Sequence, residues 1–274
     1  MLLSCRYNIK AKYIYNLKIL LMKKRLKQLT ALCTVLWCFL VVPVAAQFSI
    51  GVQGGYNRNY LITNVSSLVS TQYNSLGGFS VGVPVVYKVA DWFSLKAAPS
   101  FMQKNYQMER TGFYQGIYQN NTNGYIQLPI SAQFSFGGDD IRGFVELGGY
   151  AGYWFSGHVQ GRMPNILDQP AYSNSTSDAQ PDNVFDEYPQ YNYSEKYTFN
   201  STKDKRLELG VLAGVGMSYQ MNDSYQLFAE ASIYNGLTDQ QKNYELGLVP
   251  RYNQTYMFSV GVLFSLGNGG GGLY

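Results

Sequence analysis

The sequence predicts an all-β chain: an eight-stranded antiparallel up-and-down transmembrane β-barrel. Three observations carry that expectation. First, Ile141–Phe155 reads IRGFVELGGYAGYWF, in which alternate residues from Ile141 to Phe155 carry no charge. The intervening residues include Arg142 and Glu146. Successive strand side chains point to opposite sides, so one face of this strand excludes charge. Second, the chain is rich in Gly (28) and Tyr (25), and only 14% of it is charged. Amphipathic helical periodicity is hard to find, and no apolar run beyond residue 46 approaches a spanning helix. Third, the polar connections alternate long and short, as in an outer-membrane barrel with short periplasmic turns and long external loops. A sandwich with Greek-key crossovers gives no reason for that alternation.

The first 46 residues differ from the rest. Met22–Lys27 is a basic n-region, Leu29–Val42 an apolar h-region, and Val44-Ala45-Ala46 offers small residues to a signal peptidase. This predicts a leader over 1–46, cleaved after Ala46 with translation starting at Met22, and a domain over 47–274. The apolar run falls short of the roughly 20 residues that a membrane span needs. All eight charges of the leader are basic, so 13 of the 21 Lys+Arg remain beyond it, against 17 Asp+Glu, a net charge of −4. The sequence pI of 8.7 therefore belongs to the leader, and nothing suggests a nucleic-acid partner. Cys5, Cys33 and Cys38 all lie in the leader, which leaves neither a disulfide framework nor thiolate chemistry.

The expected strands follow in order. Phe48–Tyr60 alternates Phe48, Ile50, Val52 and Tyr56 with polar or small residues. After a polar segment, Leu61–Ser75, a second strand spans Leu76–Val89, and Ala90-Asp91-Trp92 turns into a third with Phe93, Leu95, Ala97, Pro99 and Phe101 outward. Glu109–Asn123 reads as a loop. The fourth strand, Gly124–Phe136, sets Ile126, Leu128 and Ile130 against Tyr125, Gln127 and Ser131, and Gly137–Asp140 leads to the fifth, Ile141–Phe155. The longest polar tract, 157–206, reads as an external loop. The sixth, seventh and eighth strands are Leu207–Tyr219, Tyr225–Tyr234 and Tyr256–Leu266. Closure would leave no exposed edge on such apolar strands. Aromatics near strand ends, among them Trp92, Tyr153, Tyr219 and Tyr256, fit interfacial belts.

The segments FSIGVQGGYN, GGFSVGVPVVYKVADWFSLKAAPSFMQKNY, GYIQLPISAQFSF, FVELGGYAGYW and LELGVLAGVGMSY cover most of the chain beyond the leader. In them the chain resembles the PorT-like outer-membrane β-barrel family of Bacteroidota, above all in the Tyr-x-x-x-Pro fourth strand and the Glu-x-Gly-x-x-x-Gly fifth. The resemblance implies an outer-membrane barrel and assigns no biochemical activity. The long tract 157–206 and the tail Gly267–Tyr274 depart from it.

The inward parity predicts a lumen charge network of Lys88, Lys96, Arg142, Glu146, Glu208 and Glu230. In a small barrel such charges are tolerable when paired, so the lumen is expected to be filled rather than conducting. His158, the single histidine, follows Ser156 and precedes Asp168, the ingredients of a rim hydrolase or acyltransferase; an exposed loop histidine is the plainer reading. No cofactor or metal motif is present. Candidate surface recognition falls to Tyr172, Asp182, Asp186, Glu187, Tyr188, Tyr191 and Tyr193, since tyrosine among small polar residues suits adaptable contacts. The expected partners are outer-membrane lipid, the barrel-assembly machinery and a cell-surface or secretion-complex protein. The leading expectation is a non-enzymatic outer-membrane protein with external loops for surface interaction. A narrow pore or a component of a secretion or uptake assembly is the alternative.

Overall fold

A computed structural model describes residues 48–64, 70–167, 184–242, 245 and 248–266. The expected leader with its cleavage site and the tail Gly267–Tyr274 lie outside the described residues. Twelve strands form one sheet: β1 (Phe48–Ile62), β2 (Thr71–Gly82), β3 (Val85–Ala90), β4 (Phe93–Ala97), β5 (Ser100–Gln103), β6 (Tyr106–Arg110), β7 (Tyr118–Gly137), β8 (Ile141–Pro164), β9 (Gln190–Lys196), β10 (Leu207–Asn222), β11 (Tyr225–Gly236) and β12 (Tyr252–Ser265). A single helical turn, α1 (Val184–Glu187), precedes β9. Every pairing between strands is antiparallel. The pairings close on themselves through β1, β3, β4, β7, β8, β10, β11 and β12, with β12 returning to β1.

Where eight strands are expected, the sheet has twelve, with a ring passing through eight of them. Prolines explain part of the difference. A proline has no N–H for the ladder, and Pro84 and Pro99 fall in the gaps between β2 and β3 and between β4 and β5. Their carbonyls still accept, from Gly51 N at 2.8 Å and Val83 N at 3.0 Å, and Ala98 N reaches Pro129 O at 3.1 Å. The wall therefore continues past each break. The other difference lies in the tracts read as loops. Glu109–Asn123 contains the end of β6 and the start of β7. The tract 157–206 contains the last turn-ward part of β8 and all of β9, which pair from His158↔Lys196 to Pro164↔Gln190.

Side chains are distributed in the reverse of a water-soluble sheet. On β8, Leu147 is 60% exposed while its neighbour Glu146 is 2% exposed. Val52, Val81, Ile130, Val215 and Val260 likewise face outward, and Gln53, Ser80, Ser131, Ser259 and Gln127 face in. Apolar outside and polar inside is the arrangement that lipid requires. The interior also holds two apolar layers. Phe144, Phe228 and Leu263 form one, with Val86 packed against them; Met102, Tyr150, Leu212, Tyr234 and Met257 form the other. The rings fit because glycine stands opposite them: Gly216 pairs with Phe144, and a Cβ there would lie 2.4 Å from that ring's Cζ. Among the described residues no helix is long and apolar enough to cross a membrane.

Candidate functional site: the lumen and its outer extension

Two buried charge clusters cross the lumen. At the first, β4 brings Lys96, β8 brings Glu146 and β11 brings Glu230. Lys96 Nζ lies 3.2 Å from Glu146 Oε2 and also bonds Glu230 Oε2. Ser131 Oγ donates to Glu146 Oε2 at 3.1 Å, and the ammonium stands 5.6 Å from the centre of the Phe228 ring. One cation thus serves two carboxylates in a site closed to bulk water.

The second cluster lies toward the long connections. Lys104, fully buried in the gap between β5 and β6, bonds Glu208 Oε1 at 2.5 Å. Tyr150 Oη donates to the same oxygen at 2.6 Å, and Asn253 Nδ2 donates to Oε2 at 2.6 Å. Tyr125 and Tyr150 place their rings 5.0 and 4.6 Å from the Lys104 ammonium, within cation–π range. A polar chain extends across the bore: Asn59 Nδ2 donates to Asn253 Oδ1 at 3.0 Å, and Thr255 Oγ1 to Asn59 Oδ1 at 2.7 Å. Such neutral, multiply bonded pairs are the form in which buried charge is tolerable.

An aromatic stack covers this level. Tyr125 stacks on Trp154 at 6.1 Å and Trp154 on Tyr197 at 5.2 Å, with Phe199 edge-on to both Trp154 and Tyr197. Tyr197 Oη donates to Asp204 Oδ1 at 2.8 Å; burial, then that hydrogen bond, raises its pKa above the ordinary tyrosine value. Space remains at the two mouths. A cavity of about 380 Å³ opens at the short-turn end, and one of about 170 Å³ lies beneath Tyr197 and Arg251. Between them, beside Lys96 and Phe228, is a void of about 20 Å³, little more than one water-sized probe.

The expected network is therefore redrawn. Lys96, Glu146, Glu208 and Glu230 are buried as expected from parity. Lys88 and Arg142 are not in the lumen network: both sit at the short-turn mouth. Lys88 Nζ bonds Asp91 Oδ1 at 2.8 Å, a contact that holds the Asp91 carboxyl below its ordinary pKa. Arg142 donates to Gly138 O and Asp91 O at 3.1 and 2.9 Å. Parity gives the side of the wall but not the height along it. Lys104 was missed because it lies past the apolar part of its strand; its inward parity with Lys96 was the available signal.

Beyond the bilayer, β2, β6, β7, β8 and β9 continue as a polar extension. Gln72 and Asn74 donate to Glu109 Oε2 at 3.2 and 3.0 Å, and Gln107 Nε2 to Asn120 Oδ1 at 2.9 Å. His158 belongs to this sheet rather than to a loop. A bulge at Phe155 shifts the β7–β8 register and turns His158 outward, where Nε2 lies 2.9 Å from Ser194 Oγ of β9. Of its candidate partners, Ser156 lies on β8 just past the bulge, opposite Gly124, and Asp168 lies outside the described residues, as do Tyr172 and Asp182. Asp186 and Glu187 fall in α1. Tyr188 N bonds Val184 O at 3.1 Å. Tyr191 is exposed on β9, and Tyr193 lies over Gly161 and donates to Gln119 Oε1 at 3.2 Å. Among the described residues no group of three His, Cys, Asp or Glu is placed to hold a metal.

A closed antiparallel sheet with an apolar outer wall and a hydrogen-bonded interior defines a membrane-spanning β-barrel. The family described as outer membrane protein beta-barrel domain matches residues 44–241, and the chain belongs to that family and to the bacterial outer membrane. Among solved structures the chain is similar to the outer membrane protein OprG of Pseudomonas aeruginosa, at 10% identity and a TM-score of 0.44, covering 81% of this chain and 96% of that one. Ail, the attachment invasion locus protein of Yersinia pestis, crystallised with the heparin analogue sucrose octasulfate, is similar at 12% identity and a TM-score of 0.35, covering 80% and 99%. Neisserial surface protein A follows at 12% and 0.37, covering 79% and 97%. No curated protein sequence matches the chain.

Proposed function

We propose that the protein is a non-enzymatic outer-membrane anchor with a sealed lumen, whose work is done by the polar sheet that its long strands raise above the bilayer. The observation that carries this reading is the filling of the bore by the Lys96 and Lys104 clusters under the Tyr125–Trp154–Tyr197 stack. A narrow pore would need an aqueous path that these clusters occupy. We read the barrel as eight walls in up-and-down order, two of them broken at prolines, with β9 as an added outer strand. Within the broader family we place the chain in the PorT-like group of Bacteroidota, on the segments it shares with that group. Recognition of a cell-surface or secretion-complex protein falls to the extension, where Tyr191 and Tyr193 stand on β9. His158 serves there as a surface contact with Ser194 rather than as a catalytic base.

Orientation is the testable core of this reading. The three native cysteines all precede residue 47, so with the leader cleaved after Ala46 an introduced cysteine is the single thiol. Ser194→Cys on β9 should react with a membrane-impermeant maleimide on intact cells. Gln226→Cys, at the short-turn mouth, should react only after the outer membrane is permeabilised. The reverse pattern would overturn the proposal.

A further inference from the structure

From the short turns up to the bulge at Phe155, the outward face of the ring strands carries a single charged residue, Arg58. It interrupts the apolar row Phe48, Ile50, Val52 and Tyr56 near the outer end of β1, and Tyr60 and Ile62 follow it. A charge on a lipid-facing wall is unfavourable unless it meets a counter-charge or the headgroup layer. The inside of the barrel offers Arg58 nothing, since its side chain points away from both lumen clusters. Its protein contact is a long one, 3.5 Å from Nη2 to Ser75 O.

The surroundings of Arg58 fit a ligand with a phosphate head and an acyl tail. Tyr256 stands directly across from it on β12, and Tyr60 and Tyr256 meet edge to face at 5.7 Å; both phenols line the same hollow as Arg58. Below them the wall is hollowed, because Ala213 and Ala231 stand where larger residues fill the neighbouring positions. The hollow is a trough of about 770 Å³, lined by Arg58, Leu147, Ala213, Ala231, Ile233 and Tyr256. Above the same wall, Lys205 at the head of β10 and Lys242 in the connection from β11 to β12 are exposed, the latter donating to Ser201 O at 2.7 Å. Arg206 is clamped between Phe199 and Tyr153, 4.1 and 4.5 Å from the ring centres. The acid of that turn, Asp204, is buried and committed to Tyr197 Oη and Asn200 N. In that turn the Lys205 side chain faces out and the carboxylate faces in, while in the connection that carries Lys242 an exposed carboxylate, Glu245, accompanies it.

We infer that this wall is a binding site for a phosphate-bearing lipid of the outer leaflet, with its phosphate on Arg58 and an acyl chain in the Ala213–Ala231 trough. Arginine suits the role because its planar fork bonds two phosphate oxygens at once. The tyrosines add neutral donors, and the rim lysines attract further phosphate or sugar acid without fixing it. The inference rests on the outward orientation of the long connections, which the Ser194→Cys labelling tests separately.

The test uses the full chain, refolded in zwitterionic detergent and examined by native mass spectrometry with monophosphoryl lipid A, its dephosphorylated form, or inorganic phosphate as competitor. Wild type should retain the phosphorylated lipid in preference to the dephosphorylated one, and inorganic phosphate should not displace it. Arg58→Gln should weaken retention about tenfold, the effect of losing a charge-assisted contact. Ala231→Phe, which leaves Arg58 in place and fills the trough, should also weaken it. Both variants are scored only on protein that keeps its heat-shifted gel band. Equal retention by Arg58→Gln would show that Arg58 merely reaches for water and would overturn the inference. Equal binding of the dephosphorylated lipid, or displacement by inorganic phosphate, would overturn it as well.

Discussion

Lys96 is the residue on which the interior depends most, because two carboxylates converge on it from β8 and β11. Removing it strands both carboxylates in buried positions. Lys96→Met should lower the stability of the folded barrel by about 3–5 kcal/mol, read as a shift of the urea midpoint in micelles. Adding Glu146→Gln and Glu230→Gln should restore part of that loss, since the stranded charges are then gone. No recovery would mean that the lysine acts by packing alone. Arg142→Ala, by contrast, removes only contacts at an open mouth and should shift the midpoint little. Period-two parity made Lys96, Glu146, Glu208 and Glu230 legible in the sequence. It also admitted Lys88 and Arg142, because the alternation of side chains says nothing about depth in the bore.

At the scale of elements, the strands that touch lipid were legible and those above it were not, for one physical reason. Lipid demands an apolar row, so Leu147, Val145 and Ala151 stand out against Glu146 and Tyr150. Water makes no such demand, and the continuation of β8 through His158, Gln160 and Arg162 loses the contrast that marks a strand. The bulge at Phe155 then inverts the parity, which hides the continuity further. The β8–β9 hairpin should nevertheless be separable from the barrel. A Cβ at Gly161 would lie 2.2 Å from Tyr118 O and 2.8 Å from Tyr193 Oη. Gly161→Val should therefore loosen β9 and speed tryptic cleavage after Lys196, which the strand backbone otherwise protects, while the heat-shifted band persists. If the band is lost too, the hairpin and the barrel fold as one unit. The prolines at 84 and 99 were visible in the sequence as residues, yet the strand breaks they cause were not. A strand pattern survives one missing donor when the carbonyls on either side stay bonded.

For the whole molecule, closure lets a sheet with an apolar outer face exist without an edge. Its ring is completed between the first and last strands, from Ser49↔Ser265 to Ile62↔Tyr252. The wall should reject charge at mid-height: Val145→Arg and Val215→Arg should each cost about 2–4 kcal/mol and reduce the heat-shifted fraction. Gln133→Arg, inward at the short-turn mouth, should be tolerated; equal damage there would show that the two faces are wrongly assigned. Inward glycines are no control for this comparison, because a Cβ at Gly148 would lie 2.1 Å from Ile130 O. The most direct test of the proposed sealed lumen is the current carried by purified wild-type protein across a planar lipid bilayer. The clusters at Lys96 and Lys104, with the stack above them, predict a conductance that stays at background. Stable unitary steps from protein that runs as the folded band would contradict it.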